Sequence, residues 1–319
     1  MRRPCCNVMR RRPLLTIPGA ICLLLLLCPG CALKNYNLLH SPQALPGMMR
    51  ESGIFDRGQL RIHWIAYFPD KRYRLPGVLV HPDAAGFAED MEGVCFSLAQ
   101  AGYFAAAVHY QRLENLKEKN AFVCCKSFEE GKAAFIHLLA HPRVDPERAG
   151  LLGFSKGGTH SLLIAAAEPR VKAAVVYYPL TDFEEWLNVD RYPFPASLRV
   201  RFIRGQVIKK RGATRWEEVL SDIRDASPIN HVTSIQSPIL LIHGETDRTV
   251  PLADTQRFFE ALRAAGGNCE LYVLPEAGHV FNFKNKEQGR MAWERTLQFL
   301  DHHLKKEGLV HSPANLSNR

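Results

Sequence analysis

Three side chains that lie far apart in the sequence have the types that acyl transfer requires. Ser155 lies in GFSKGG, a G-x-S-x-G pattern between an apolar run and SLLIAAA. Asp247 lies in HGETDRTVP and His279 in EAGHVF, each just after an apolar segment. A serine hydroxyl is a poor nucleophile at neutral pH unless an imidazole takes its proton, and a carboxylate must orient that imidazole. The order Ser, Asp, His therefore predicts a nucleophile with its base and its acid.

The segments around these residues predict alternating strands and helices. Short apolar runs typical of buried parallel strands are GVLVH (77–81), GLLGF (150–154), PILLIHG (238–244) and ELYVLP (270–275). Amphipathic helical spacing separates most of them, which predicts an α/β fold with a mainly parallel sheet and helices on both faces. The three candidate residues each follow a strand. Open α/β sheets bind ligands at that carboxyl edge, so we expect the three side chains to meet there.

The chain is predicted to divide into a leader, one α/β domain and a tail. Residues 1–30 predict a signal peptide, and residues 31–58 predict an extended lead-in. Residues 59–306 form the α/β domain, and residues 307–319 a flexible tail. Residues 181–236 break the strand–helix alternation and predict a lid insertion over one end of the sheet.

The leader favours export. It carries five arginines, no acidic residue and an apolar run interrupted by Pro18 and Gly19, so a secretory signal fits better than a permanent membrane helix. Gly30-Cys31 resembles a bacterial lipoprotein processing site, which would leave Cys31 lipidated. Arg11-Arg12 resembles a twin-arginine signal, and an uncleaved anchor stays open. We expect a periplasmic protein or a membrane-anchored lipoprotein.

Charge and cysteine spacing argue against two other classes of protein. The formal charge is +9, but the five arginines of the leader leave 36 basic and 32 acidic side chains, a balance of +4. That balance gives no support for a nucleic-acid partner. The cysteines beyond the leader lack the spacing of a metal site, so no metal is expected. Cys95 and Cys269 fit a core, and Cys124 or Cys125 could form a disulfide after export.

An acyl-transfer site also needs two N–H donors for the oxyanion. The backbone N–H of Lys156 directly follows the nucleophile, and the loop HPDAAG after the strand 77–81 should supply the other donor. Pro82 has no N–H, so Asp83 is the predicted second donor and Ala84 the alternative.

Several neighbours compete for the catalytic roles. Asp182 follows an earlier strand and is the alternative acid. Glu245 lies two residues before Asp247, where it would face solvent. His243 ends a strand and is expected to be a buried, hydrogen-bonded support, and His160 is expected to pack or cap.

The motifs HPDAAG, GFSKGG, HGETDRTVP and EAGHVF resemble, in order and context, the dienelactone hydrolase family of α/β-hydrolases over about residues 60–305. The resemblance implies the α/β-hydrolase fold and hydrolysis of carboxylic esters or related acyl compounds without a cofactor. Founding dienelactone hydrolases use cysteine at the elbow, whereas this chain has Ser155. That difference favours general serine-esterase chemistry over the dienelactone substrate. The prolyl-oligopeptidase-like and acyl-thioesterase branches have similar motifs.

The sequence therefore favours an exported serine hydrolase that cleaves a small ester or lactone through an acyl-enzyme. A peptidase, or an acyl thioesterase or acyltransferase, could use the same three residues, and a non-catalytic binding module is the third hypothesis. The expected partner is a small-molecule acyl substrate, with membrane contact only through the N-terminal segment. The basic run 199–215 favours a solvated polar face over contact with lipid.

Overall fold

The computed structural model describes residues 45–58, 60–84, 86–112 and 128–305. Several sequence predictions fall outside the described residues: the signal peptide, Cys31, the start of the lead-in, Cys124, Cys125 and the tail. None of the helices in the described ranges has the length and apolar character that a bilayer crossing requires.

Within the described ranges, eight strands form one sheet. They are β1 (Met48–Arg57), β2 (Leu60–Pro69), β3 (Leu75–His81), β4 (Phe104–Arg112), β5 (Val144–Phe154), β6 (Ala174–Tyr177), β7 (Ile239–Gly244) and β8 (Cys269–Leu274). The spatial order is β1-β2-β4-β3-β5-β6-β7-β8. β2 pairs antiparallel with β1 and β4, and the remaining neighbours pair in parallel. The predicted mainly parallel sheet is therefore present.

The first strand lies in the segment that the sequence predicted as a lead-in. β1 pairs along its length with β2, from Met48 opposite Pro69 to Arg57 opposite Leu60. Its residues are exposed or only half-buried, because it forms the outer edge of the sheet. An edge strand does not need the apolar run of a buried strand, so MMRESGIFDR lacks that signal. The sheet thus begins before residue 59.

In the part of the chain that the structure describes, nine α-helices cover the sheet or lie in the predicted lid insertion. They are α1 (Glu92–Gln100), α2 (Phe128–Ala140), α3 (Lys156–Ala167), α4 (Phe183–Trp186), α5 (Ala196–Lys210), α6 (Leu220–Asp225), α7 (Leu252–Ala264), α8 (Phe281–Lys284) and α9 (Lys286–Leu304). Alternating side chains of β3 face opposite sides: Val78 and Val80 pack in one core cluster and Leu79 in the other. The first cluster includes residues of α1 and α9, and the second includes residues of α2, α3 and α7. Helices therefore bury both faces of the sheet.

The predicted lid insertion, residues 181–236, is helical and has a small core of its own. It contains α4, α5 and α6, with 3₁₀ turns at Val189–Arg191, Trp216–Val219 and Pro228–Ser234. Its core packs Phe183 and Ile223 against Val250, a residue of the loop after β7. The indole N–H of Trp186 also donates to the carbonyl oxygen of Thr249 at 2.8 Å. The insertion is thus attached to the loop that carries Asp247.

Candidate active site

Ser155 lies at a sharp turn between β5 and α3. Its φ is 53° and its ψ is −118°, a backbone conformation that costs energy for any residue other than glycine. Its N–H donates to the carbonyl oxygen of Tyr177 at 2.9 Å, which ties the turn to β6. A Cβ added at Gly153 would overlap the carbonyl oxygen of Gly157. The glycines of G-x-S-x-G therefore permit a turn that presents the serine between strand and helix.

Gly157 brings this turn against the loop that follows β3. A Cβ at this position would overlap the backbone carbonyl oxygens of His81 and Pro82, which cannot rotate away.

We expect Gly157→Ala to separate the turn from the loop and to lower kcat about 10²-fold, because catalytic geometry tolerates little displacement. Steady-state kinetics with circular dichroism would measure this. Gly205→Ala is the matched control, since its Cβ would meet nothing within 4 Å, and equal kcat values for the two variants would contradict the expectation.

The structure brings the three candidate catalytic side chains together. Ser155 Oγ lies 3.1 Å from His279 Nε2. His279 Nδ1 lies 2.6 Å from Asp247 Oδ2. The other carboxylate oxygen, Oδ1, accepts the N–H groups of Thr249 at 2.8 Å and Val250 at 2.9 Å. The hydroxyl, the imidazole and the carboxylate therefore form one continuous hydrogen-bonded chain.

Asp247 is held in its ionised form. Burial alone would raise the pKa of this carboxyl group, but the hydrogen bonds from His243 and His279 outweigh burial and place the pKa well below its usual range. An ionised carboxylate can only accept, so His279 donates from Nδ1. Nε2 of the neutral ring is then free to accept the hydroxyl hydrogen of Ser155. This is the arrangement that a general base requires.

His243 supports the carboxylate from a second side, in agreement with its expected role. Its Nε2 lies 3.0 Å from the carbonyl oxygen of Val250 and 3.4 Å from Asp247 Oδ2. Both oxygens are acceptors, so Nε2 carries the ring hydrogen. Nδ1 then accepts from the hydroxyl of Thr255 at 2.9 Å. The imidazole of His243 thus points an N–H toward the carboxylate.

Tyr178 is a site residue that the sequence did not single out. Its φ is 40°, and its ring lies 4.6 Å from the ring of His279, centroid to centroid. Its hydroxyl donates to Oδ1 of Asn282 at 2.7 Å. The ring therefore restricts where the imidazole of His279 can lie. The sequence VVYYP places Tyr178 at the end of a strand. Its position at the carboxyl edge of the sheet is the one signal that could have identified it as a site residue.

The rival residues occupy other positions. Asp182 accepts the N–H of Glu185 at 3.0 Å and caps the N-terminus of α4. Glu245 accepts the N–H of Glu276 at 3.1 Å on the exposed surface. His160 is buried, and its ring packs against the ring of His81 at 4.5 Å. None of these contacts is with His279.

The segments predicted to supply the oxyanion donors lie side by side. Lys156 begins α3 directly after Ser155, so its backbone N–H belongs to the N-terminal turn of that helix. Asp83 is buried in the loop after β3, one residue beyond the carbonyl group of Pro82 that contacts Gly157. The assignment of the two backbone N–H groups as oxyanion donors stays a prediction.

A buried histidine fixes the base of this loop. His81 Nδ1 lies 3.1 Å from Ser161 Oγ, and His81 Nε2 lies 3.0 Å from the hydroxyl of Tyr110. The hydroxyl of Ser161 already donates to the carbonyl oxygen of Gly157 at 2.9 Å, so it accepts from His81. Burial lowers the pKa of His81 to about 3. The ring therefore stays neutral and links the loop, β4 and the first turns of α3.

We expect the unfolding free energy to fall as the pH is lowered from about 6.5 toward about 3, because unfolded His81 takes up a proton that the folded protein excludes. The slope from this residue is up to about 1.4 kcal/mol per pH unit. Urea unfolding between pH 7 and pH 4.5 would measure it. His81→Gln should show a shallower pH dependence than the parent protein. Parallel pH profiles for the two proteins would contradict the expectation.

Among the described residues, the two cysteines and the possible metal ligands do not form a second reactive site. Cys95 and Cys269 are free and buried, as expected of core residues. Burial raises the pKa of the Cys269 thiol to about 12, which keeps it protonated at neutral pH. No group of three or more His, Cys, Asp or Glu side chains in the described ranges is placed to hold a metal ion.

Comparison with solved structures places the fold. A protein from Klebsiella pneumoniae is provisionally named a dienelactone hydrolase. Its structure superposes with a TM-score of 0.59 at 23% identity, covering 79% of this chain and 98% of that one. An esterase from Thermogutta terrifontis gives 0.60 at 20% identity, covering 86% and 99%. The acylaminoacyl peptidase of Pyrococcus horikoshii gives 0.65 at 18% identity, covering 84% and 44%. The predicted α/β-hydrolase fold is confirmed.

Comparison of sequences gives the family. A relative from Methylorubrum extorquens, provisionally named a carboxymethylenebutenolidase, is 28% identical over 219 residues. The match covers 65% of this chain and 63% of that protein. The model of the dienelactone hydrolase family matches residues 62–304, which include all four motifs that carry the resemblance. The chain therefore belongs to the dienelactone hydrolase family.

Proposed function

We propose that this protein is a serine hydrolase that cleaves a carboxylic ester or lactone through an acyl-enzyme intermediate. The proposal rests on one observation, the continuous chain from Ser155 Oγ through His279 to Asp247, with distances of 3.1 and 2.6 Å. The family supports hydrolysis as the reaction class. The remaining features of the site fit the steps of acyl transfer.

In the first half of the reaction, Ser155 Oγ attacks the carbonyl carbon while His279 Nε2 takes the hydroxyl proton. The negative charge that develops on the carbonyl oxygen is stabilised by the backbone N–H groups of Lys156 and Asp83. Losing one such donor in another serine hydrolase costs about 3 kcal/mol of transition-state stabilisation, so both groups matter. His279 then returns the proton to the leaving alkoxide oxygen, and the acyl group stays on Ser155.

In the second half, water replaces the alcohol. His279 takes a proton from the attacking water, and the acyl group leaves Ser155 as a carboxylic acid. The serine oxygen recovers its hydrogen from the imidazole. Asp247 stays ionised throughout, because its pKa lies well below the usual range of a carboxyl group. It orients the ring and stabilises the imidazolium without accepting the proton.

Peptide cleavage is the second candidate, because the fold also superposes on the acylaminoacyl peptidase of Pyrococcus horikoshii. The chain spans 44% of that peptidase. Amide hydrolysis needs a better-stabilised leaving group than ester hydrolysis. The family assignment therefore favours the ester or the lactone.

A substrate panel distinguishes these reactions. Short p-nitrophenyl esters, simple lactones, acyl thioesters and aminoacyl p-nitroanilides would be offered to the purified chain, with Ser155→Ala as the background control. We expect the highest kcat/KM for an ester or a lactone. Preference for an anilide over the ester of the same acyl group would instead support a peptidase. Equal rates for the parent and Ser155→Ala on every substrate would contradict hydrolysis at this serine.

A further inference from the structure

We propose that the outward face of α5 in the lid insertion is a docking surface for an anionic lipid bilayer. Phe194, Leu198 and Phe202 lie four residues apart, and their exposed fractions are 78%, 54% and 40%. Leu198 and Phe202 share one face of α5, and Phe194 lies in the turn just before the helix begins at Ala196; we call these three exposed side chains the apolar stripe. They are three of the nine exposed large hydrophobic residues among the described residues. Single exposed apolar residues are ordinary, whereas a cluster marks an interaction surface.

The stripe is not the core side of the helix. Val200 on α5 is buried, and Ile203 and Val207 pack against the core of the lid insertion. A surface helix usually carries polar residues opposite its core side. α5 instead exposes Leu198 and Phe202 away from its core side, which the sequence expectation of a solvated polar face does not explain.

The positive charge of α5 favours an anionic partner. ASLRVRFIRGQVIKK contains five basic residues and no acidic residue. Arg201 and Lys209 are exposed on the turns beside the stripe. Helices with phenylalanine and leucine on one face and basic residues around it lie in the interface of a bilayer. Two copies pairing through this helix would bring two basic segments together, so the charge favours anionic headgroups over a second copy.

The lid insertion can present this face as a rigid unit. The guanidinium of Arg204 lies 4.3 Å from the centre of the Trp216 ring, and Arg211 pairs with Asp222 at 3.0 Å. These contacts fix the core side of α5 while the stripe faces outward. The hydrogen bond from Trp186 to Thr249 joins the insertion to the loop of Asp247. The docking itself does not rest on the proposed function.

A local fluorescence probe tests the docking surface in the full chain. Leu198→Trp would be mixed with vesicles of brominated phosphatidylglycerol, and Tyr73→Trp would be the control, because Tyr73 is 58% exposed outside the lid insertion. We expect strong quenching for Leu198→Trp and little for Tyr73→Trp. Brominated phosphatidylcholine should quench Leu198→Trp far less, since each basic residue near an anionic surface contributes about fivefold in affinity. Equal quenching at the two positions, or by the two lipids, would overturn the proposal.

Removal of the stripe gives a second measurement. The triple variant Phe194→Ser, Leu198→Ser, Phe202→Ser should bind phosphatidylglycerol vesicles at least about tenfold more weakly than the double variant Ile54→Ser, Tyr73→Ser. The substituted side chains are exposed, and the N-terminal segment is identical in every sample. Ser155→Ala should bind as the parent does, which separates docking from catalysis. Unchanged binding of the triple variant, or a parent dimer that the triple variant converts to a monomer, would overturn the proposal.

Discussion

Ser155→Ala is expected to abolish hydrolysis while leaving the fold intact. The substitution removes the attacking oxygen, which lies 3.1 Å from His279 Nε2, and adds no atom to the turn. We expect kcat to fall by about 10⁶-fold, the loss found when the nucleophile of another serine hydrolase is removed. Any residual rate would come from direct attack by water on a substrate whose developing oxyanion the predicted donors stabilise. Steady-state kinetics on the best substrate of the panel, with urea unfolding of both proteins, would measure the loss.

The matched control for this variant is Ser221→Ala, which removes the hydroxyl of an exposed serine on α6. It should retain the parent kcat. Activity of Ser155→Ala within tenfold of the control would show that another group is the nucleophile.

Asp247→Asn is expected to lower kcat about 10⁴-fold, by forcing the wrong tautomer on His279. Oδ1 of Asp247 accepts two backbone N–H groups, so an asparagine would keep its carbonyl oxygen there and turn its NH₂ toward His279. Nδ1 of His279 would then have to accept, and Nε2 would carry the ring hydrogen. A ring protonated at Nε2 cannot take the proton of Ser155. The pH dependence of kcat for this variant, from pH 5 to pH 9, would measure the loss.

The control for the acid is Asp182→Asn, which changes the sequence-level rival. Asp182 caps α4, and an asparagine can accept the same N–H from Glu185, so kcat should change little. A larger loss in Asp182→Asn than in Asp247→Asn would assign the role of acid to Asp182. In the parent, the low pKa of Asp247 means that this carboxylate should not itself produce the acid limb of the pH profile.

The buried parallel strands and the motifs that carry Ser155, Asp247 and His279 were predictable because they carry strong local signals. GLLGF and PILLI are apolar without interruption, since their strands are buried on both faces. Parallel strands share a carboxyl edge, so a residue after each strand lies near the residues after its neighbours. Ser155, Asp247 and His279 are separated by up to 124 positions, yet this rule is enough to bring them together.

The features that were missed depend on tertiary context. β1 has no apolar run, because its residues lie at the edge of the sheet and are largely exposed. Tyr178, which lies between β6 and the loop of His279, adopts a positive φ. None of the residue types in VVYYP predicts that conformation. The outward stripe of α5 could not be told from a core face, because one helix carries apolar residues on both sides. The signal peptide and Cys31 stay predictions from composition.

Covalent labelling of the nucleophile tests the central claim most directly. A fluorophosphonate probe reacts with a serine hydroxyl that an adjacent imidazole has activated. Peptide mass spectrometry of the labelled chain should find one adduct, on the peptide that contains Ser155, and none in Ser155→Ala. Asp247→Asn should label far more slowly than the parent. An adduct on another residue, or no adduct in a preparation that hydrolyses esters, would contradict the assignment.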